Sequence, residues 1–216
     1  MTSSSTIVAL DLETTGLDPD RHHIWEIGAI VRDHRDPSLD GEWHWLLRPN
    51  LAQAEPRALQ ISRYYERAWP VQDPDRQGYA LRLPAEHGKP HTNWTRMAVA
   101  RRLAELLDSA NLVGINPAFD AGFLGRFLRS HWQTPTWHYH LVDVGALTLG
   151  YTAALSQALG RPAPALPWRI DDLATQLGVP VDPAARHTAM GDARFALALY
   201  DKIMTATAAD APGALA

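Results

Sequence analysis

The chain has 216 residues, 46% hydrophobic and 20% charged, which is enough to bury the core of one domain, and no apolar run approaches the roughly 18 residues of a membrane span. The formal net charge of −4 argues against a protein that coats nucleic acid electrostatically, though not against an enzyme gripping one strand end. With no cysteine, the chain has no disulfides, thiolate metal sites or cysteine nucleophile, so any metal must sit on oxygen or imidazole ligands.

Residues 1–5 read as an N-terminal tail with no basic leader, so an intracellular home and no membrane partner are expected. Residues 6–11 (TIVALD) are a β-branched apolar run, and 24–32 and 42–48 read as two further strands behind polar turns, which predicts a three-stranded meander. The stretch 70–94 mixes proline, glycine and charge without a period and reads as a long loop. A helical period over 95–109, a short strand at 111–115 and a helix at about 118–130 then switch the chain to alternating strand and helix. Residues 138–144 (HYHLVDV) read as a fifth strand, followed by helices at 145–160, 170–178 and 188–207. The layout is α/β with a mixed five-stranded sheet flanked by helices over 6–205, and 206–216 reads as a frayed tail.

Asp11 and Glu13 lie at i and i+2 near the end of the first strand, where alternation sends both carboxylates to one face. Two adjacent carboxylates call for a cation, yet alone such a pair reads better as a solvated strand end. Asp120, in NPAFDAGFL, sits where a strand turns into a helix; alone it reads as an acid in a helix first turn, favourable to the helix dipole. His187 precedes Asp192 by five residues in RHTAMGDA. On one continuous helix the two would lie about 140° apart, so His187 is placed on the approach and Asp192 within the helix. The other histidines, including the pairs His22/His23 and His138/His140, read as structural or exposed. So does Glu26, within an apolar strand, as a structural partner, and Asp143 as a hydrogen-bonding residue at a strand-to-helix turn. Arg186 and Arg194 are candidate phosphate contacts, though helix arginines need no function. All basic residues but Lys89 and Lys202 are arginine, which suits phosphate and equally suits a GC-rich codon bias. Core packing is the better reading for most of the eight tryptophans, base stacking for few.

In this order and spacing, ALDLETTGLDP, NPAFDAGFL and HTAMGDA closely resemble the three motifs of the DnaQ-like DEDDh exonucleases, the family of proofreading subunits and several RNA 3′-end trimming enzymes. The second motif departs at Ile115, where many relatives carry histidine before the asparagine. The resemblance implies an RNase H-like fold and a metal-dependent 3′-to-5′ exonuclease that releases nucleoside 5′-monophosphates. It implies that Asp11, Glu13, Asp120 and Asp192 hold two divalent cations, Mg²⁺ or Mn²⁺, with His187 as general base. It also implies that Leu12, Thr14, Thr15, Gly16 and Asn116 contact the terminal nucleotide. Two hard cations about 3.5–4 Å apart answer a physical need, because an anionic phosphodiester repels hydroxide.

The implied partner is a single-stranded or frayed 3′ end, DNA before RNA, and a polymerase partner is compatible with the family. Three other readings stay open. An RNA 3′-end exonuclease or oligoribonuclease would use the same residues, an inactive polymerase-accessory or nucleic-acid-binding module would keep the fold, and a structural α/β protein would carry its acids incidentally.

Overall fold

The computed structural model of the chain describes residues 6–33, 36–68, 79–83 and 91–206. The tails expected at 1–5 and beyond 206 therefore lie outside the described residues.

Strand β1 (Ile7–Thr14) pairs antiparallel with β2 (Ile24–Arg32), which pairs antiparallel with β3 (Gly41–Leu47), giving the expected meander. On the other side of β1 lies β6 (Asn111–Gly114), parallel to it, and then β7 (Val142–Asp143), parallel to β6. These are the five expected strands of the mixed α/β sheet. Two more, β4 (Tyr79–Leu83) and β5 (His91–Thr95), extend it from β3 by antiparallel pairing, so the order is β5-β4-β3-β2-β1-β6-β7. Both fall in the stretch read from sequence as loop. Five residues hold too few alternations to stand out, and edge strands are specified by the strand they pair with.

β7 is shorter than the expected 138–144. The His138 ring stacks on Tyr139 and the His140 ring lies tilted against both, and the His138 N–H bonds to the Ala110 carbonyl at 2.8 Å, so this segment runs as a connection and not as a ladder. Short helices α1 (Pro56–Ile61) and α2 (Tyr64–Arg67) follow β3 and had no signal in the sequence. The longer helices match expectation: α3 (Arg96–Leu106), α4 (Pro117–Ser130), α5 (Val144–Ala158), α6 (Ile170–Gln176) and α7 (Ala189–Met204).

Alternation along β1 assigns the two faces of the sheet. Val8, Leu10 and Leu12 pack with Ile27, Ala29 and Trp45 against α3 and α4, while Ile7 and Ala9 pack with Val113 against the layer of α5, α6 and α7. Asp11 and Glu13 continue the second set past its apolar part, which places both carboxylates on the α7 side. No helix among the described residues is long and apolar enough to cross a membrane.

α7 approaches the sheet closely at Gly28. A Cβ built there would lie 2.4 Å from the Ala189 carbonyl carbon and 2.5 Å from Met190 N, so only glycine lets the start of α7 rest on β2. Thr188 caps α7, its hydroxyl accepting from the Gly191 N–H at 3.1 Å and donating to the Ala185 carbonyl at 2.6 Å. That cap turns the chain just ahead of Asp192.

Candidate active site

β1 and the first turn of α7 bring their acids together: carboxylate oxygens of Asp11, Glu13 and Asp192 lie within 4.8 Å of one another. Asp120, buried in the first turn of α4, stands beside this trio, near enough to raise the pKa of Asp11 and Glu13, though outside the group of three. No ion pair reaches Asp11, Glu13 or Asp120 among the described residues. The electrostatic result is strong. Burial first, then Asp120, Asp192 and Glu13, push Asp11 well above the usual carboxylate range. Burial and the opposed Glu26 push Glu13 up to about 8. Burial, opposed by hydrogen bonds from backbone N–H groups including that of Leu12, pushes Asp120 up to about 8. Asp192 is raised by burial, against the pull of Arg186 and of the His187 N–H. Carboxylates that repel one another in a partly dry site offer the oxygen donors that a hard divalent cation takes, and Asp11, Glu13 and Asp192 could hold one.

His187 is exposed at the turn before α7, in the left-handed region with φ 59°. Its backbone N–H donates to Asp192 Oδ2 at 3.0 Å, and its imidazole is close enough to lower the Asp192 pKa. The loop-and-helix arrangement expected of this pair is the one observed. Arg186 forms an ion pair with Asp192 Oδ1, reaches Asp171 at 3.3 Å and lies over the Phe195 ring, so its guanidinium is already engaged. Arg194 is likewise bound, to Glu42 at 2.7 Å.

The turn after β1 is held by its own side chains. Thr14 Oγ1 donates to the Gly16 carbonyl at 2.7 Å, and Thr15 Oγ1 accepts from the His23 N–H at 2.9 Å. Gly16 faces the His22 ring, which a Cβ would approach to 2.6 Å. Both threonine hydroxyls thus shape the turn, and Leu12 is buried. Asn116 is exposed, caps α4 in the left-handed region with φ 57°, and sends its N–H toward Asp143 Oδ1 at 3.5 Å. Asp143 also accepts from the Ala146 N–H at 3.1 Å, the turn role expected of it. Ile115, the departure in the second motif, packs in the apolar layer with Val113 and Val144.

Glu26 is a buried partner, as its place in an apolar strand suggests. It is bound by Arg67, by His44 Nε2 at 2.7 Å and by the Ala189 N–H at 3.2 Å, and these hold its pKa low in spite of burial. Arg67, which reaches this carboxylate from α2, had no signal in the sequence. Trp25 and Trp45 are fully buried, and Trp132, 82% exposed, stands out in solvent.

No family model and no curated protein matches the chain. Solved structures do. The chain is similar to a product-bound exonuclease I, with TM-score 0.62 and 15% identity over 94% of this chain and 44% of that one. It is similar to E. coli exonuclease I in complex with a dA16 oligonucleotide, with TM-score 0.57 and 16% identity over 94% of this chain and 41% of that one. It is also similar to exonuclease I in an ExoI/SSB-Ct complex, with TM-score 0.57 and 16% identity over 94% and 42% of the two chains. The chain thus spans less than half the length of these structures, and what it shares with them is the α/β, RNase H-like fold.

Proposed function

We propose that residues 6–205 form a metal-dependent 3′-to-5′ exonuclease domain that shortens single-stranded or frayed DNA and releases nucleoside 5′-monophosphates inside the cell. The observation that carries this reading is the convergence of Asp11, Glu13 and Asp192 within 4.8 Å, beside Asp120, at the end of β1. The three motifs supply the same residues independently of the geometry. The fold shared with exonuclease I, one of whose structures holds a dA16 oligonucleotide, supports DNA as the substrate.

Asp11, Glu13, Asp120 and Asp192 would hold two divalent cations, Mg²⁺ or Mn²⁺. When bound, such cations neutralise phosphate charge and lower the pKa of water. The chain's own residues do the rest. His187, at the rim of the acidic group, takes a proton from the attacking water, a role that suits an imidazole. The water oxygen bonds to phosphorus as the P–O3′ bond breaks, and the 3′ oxygen leaves on the shortened strand, where it gains a proton. The turn at Thr14–Gly16 and the cap residue Asn116 border the terminal nucleotide and orient it.

The test is digestion of a 5′-labelled single-stranded DNA and an RNA of equal sequence with Mg²⁺, Mn²⁺ or EDTA, alongside Asp11→Ala. Stepwise loss of nucleotides from the DNA, abolished by EDTA and by the substitution, is the expected result. Faster shortening of RNA would move the substrate to RNA, and no shortening of either would leave a nucleic-acid-binding or polymerase-accessory module.

A further inference from the structure

The segment carrying α1 and α2 reaches across to the turn that bears His187. Arg63 Nη2 donates to the Ala184 carbonyl at 3.0 Å, and Arg67 Nη1 donates to the His187 carbonyl at 3.0 Å. The same Arg67 guanidinium binds both oxygens of Glu26, donates to the Ser62 carbonyl at 2.8 Å and lies over the Trp25 ring at 5.1 Å. Glu26 is 1% exposed and also accepts from the Ala189 N–H at 3.2 Å. One buried carboxylate therefore holds both flanks of the His187–Thr188 turn, through Arg67 on the His187 carbonyl and directly on Ala189.

His187 needs such restraint. A histidine at φ 59° occupies a region that side chains with a Cβ disfavour, so the conformation persists only where neighbours fix it. Both of its backbone polar groups are tied: the N–H to Asp192 Oδ2 at 3.0 Å and the carbonyl to Arg67 at 3.0 Å.

We infer that Arg67, anchored on Glu26, is a positioning residue that holds the His187 turn so that its imidazole meets the attacking water. This rests on the proposed role of His187 and extends it to residues outside the group of Asp11, Glu13 and Asp192, although the charges of Glu26 and Arg67 also act on Glu13. Arg67→Lys is the informative variant, because an ammonium keeps the charge beside Glu26 but cannot reproduce the planar fork that spans Glu26 and the His187 carbonyl.

The experiment is a double-mutant cycle of Arg67→Lys and His187→Ala on a 5′-labelled single-stranded DNA with Mg²⁺, with Mn²⁺-induced melting shifts in parallel. Alone, Arg67→Lys is expected to lower kcat by about 10- to 100-fold, the loss expected of a misplaced reacting group, and to leave KM and the Mn²⁺ shift unchanged. In the His187→Ala background it is expected to change kcat by less than about twofold, because the group it positions is gone. An equal loss in both backgrounds, or no loss in either, overturns the positioning role while leaving His187 as base. A His187→Ala enzyme with undiminished kcat overturns both. Should Arg67→Lys not fold, the paired change Glu26→Gln with Arg67→Met removes the fork without stranding a buried charge between the two, and the same cycle with His187→Ala decides.

Discussion

Asp11 is buried beside Asp120, Asp192 and Glu13, with no basic side chain paired to it among the described residues, so its own charge is a cost to the folded chain. Asp11→Ala is therefore expected to abolish hydrolysis and yet to raise the metal-free melting temperature at pH 8; a lower melting temperature would mean that Asp11 also holds the fold. His187→Ala is expected to slow turnover by about 10²- to 10⁴-fold, the usual range for a general base, and to leave the Mn²⁺-induced melting shift intact. An unchanged rate in single-turnover kinetics would remove the imidazole from the chemistry. Glu26 behaves in the opposite sense to Asp11, since Arg67 and His44 are bound to it. Glu26→Ala leaves the part-buried Arg67 guanidinium without its carboxylate and is expected to cost about 3 kcal/mol in denaturant unfolding. Two glutamates that face each other across one strand pair, Glu13 and Glu26, thus differ in role because only one of them has an arginine.

α7 carries Asp192 and is preceded by His187, and it meets β2 where Gly28 has no side chain. Gly28→Ala puts a methyl group against the Ala189 backbone, which cannot rotate away as a flexible side chain would. The expected cost is about 1–3 kcal/mol of overpacking, with turnover falling further than stability because the displaced element carries the site. Paired melting and kinetic measurements check this; retained wild-type turnover would mean that the helix can shift without moving Asp192. At the same scale, β4 and β5 lengthen the sheet from β3, on the side away from β6.

Across the whole molecule the acidic cluster links stability to pH. Glu13 and Asp120, ordinarily near 4.5 and 3.8, are each pushed up to about 8. Between those limits the native state keeps protons that the unfolded chain has released, so the cluster's contribution to stability falls as pH rises from about 4 to about 8. The difference in melting temperature between wild type and Glu13→Gln is expected to move against wild type over that window in EDTA. Mn²⁺ is expected to erase the difference and to stabilise more at the upper end of the window than at the lower, because fewer protons then have to be displaced from the carboxylates. A metal-free wild type that gains on Glu13→Gln with rising pH would refute the linkage.

Some features of this protein are encoded within a short stretch of chain and can be read there. DLE on a strand puts Asp11 and Glu13 on one face through a period of two, HTAMGD separates a loop histidine from a helix aspartate through the helical turn, and the longer helices announce themselves by their apolar spacing. Other features arise between groups far apart in the chain and exist only once it has folded. Nothing near Arg67 signals that it will meet Glu26, 41 residues before it, or the His187 carbonyl, 120 residues after it. Nor does a run of five residues reveal that it will join a sheet, since β4 takes its register from β3, and β5 takes its register from β4, not from a pattern of their own. Raised pKa values belong to the same class: a carboxylate's affinity for its proton is set by the water it loses and the charges it meets, and both come into being only when β1, α4 and α7 close on one another.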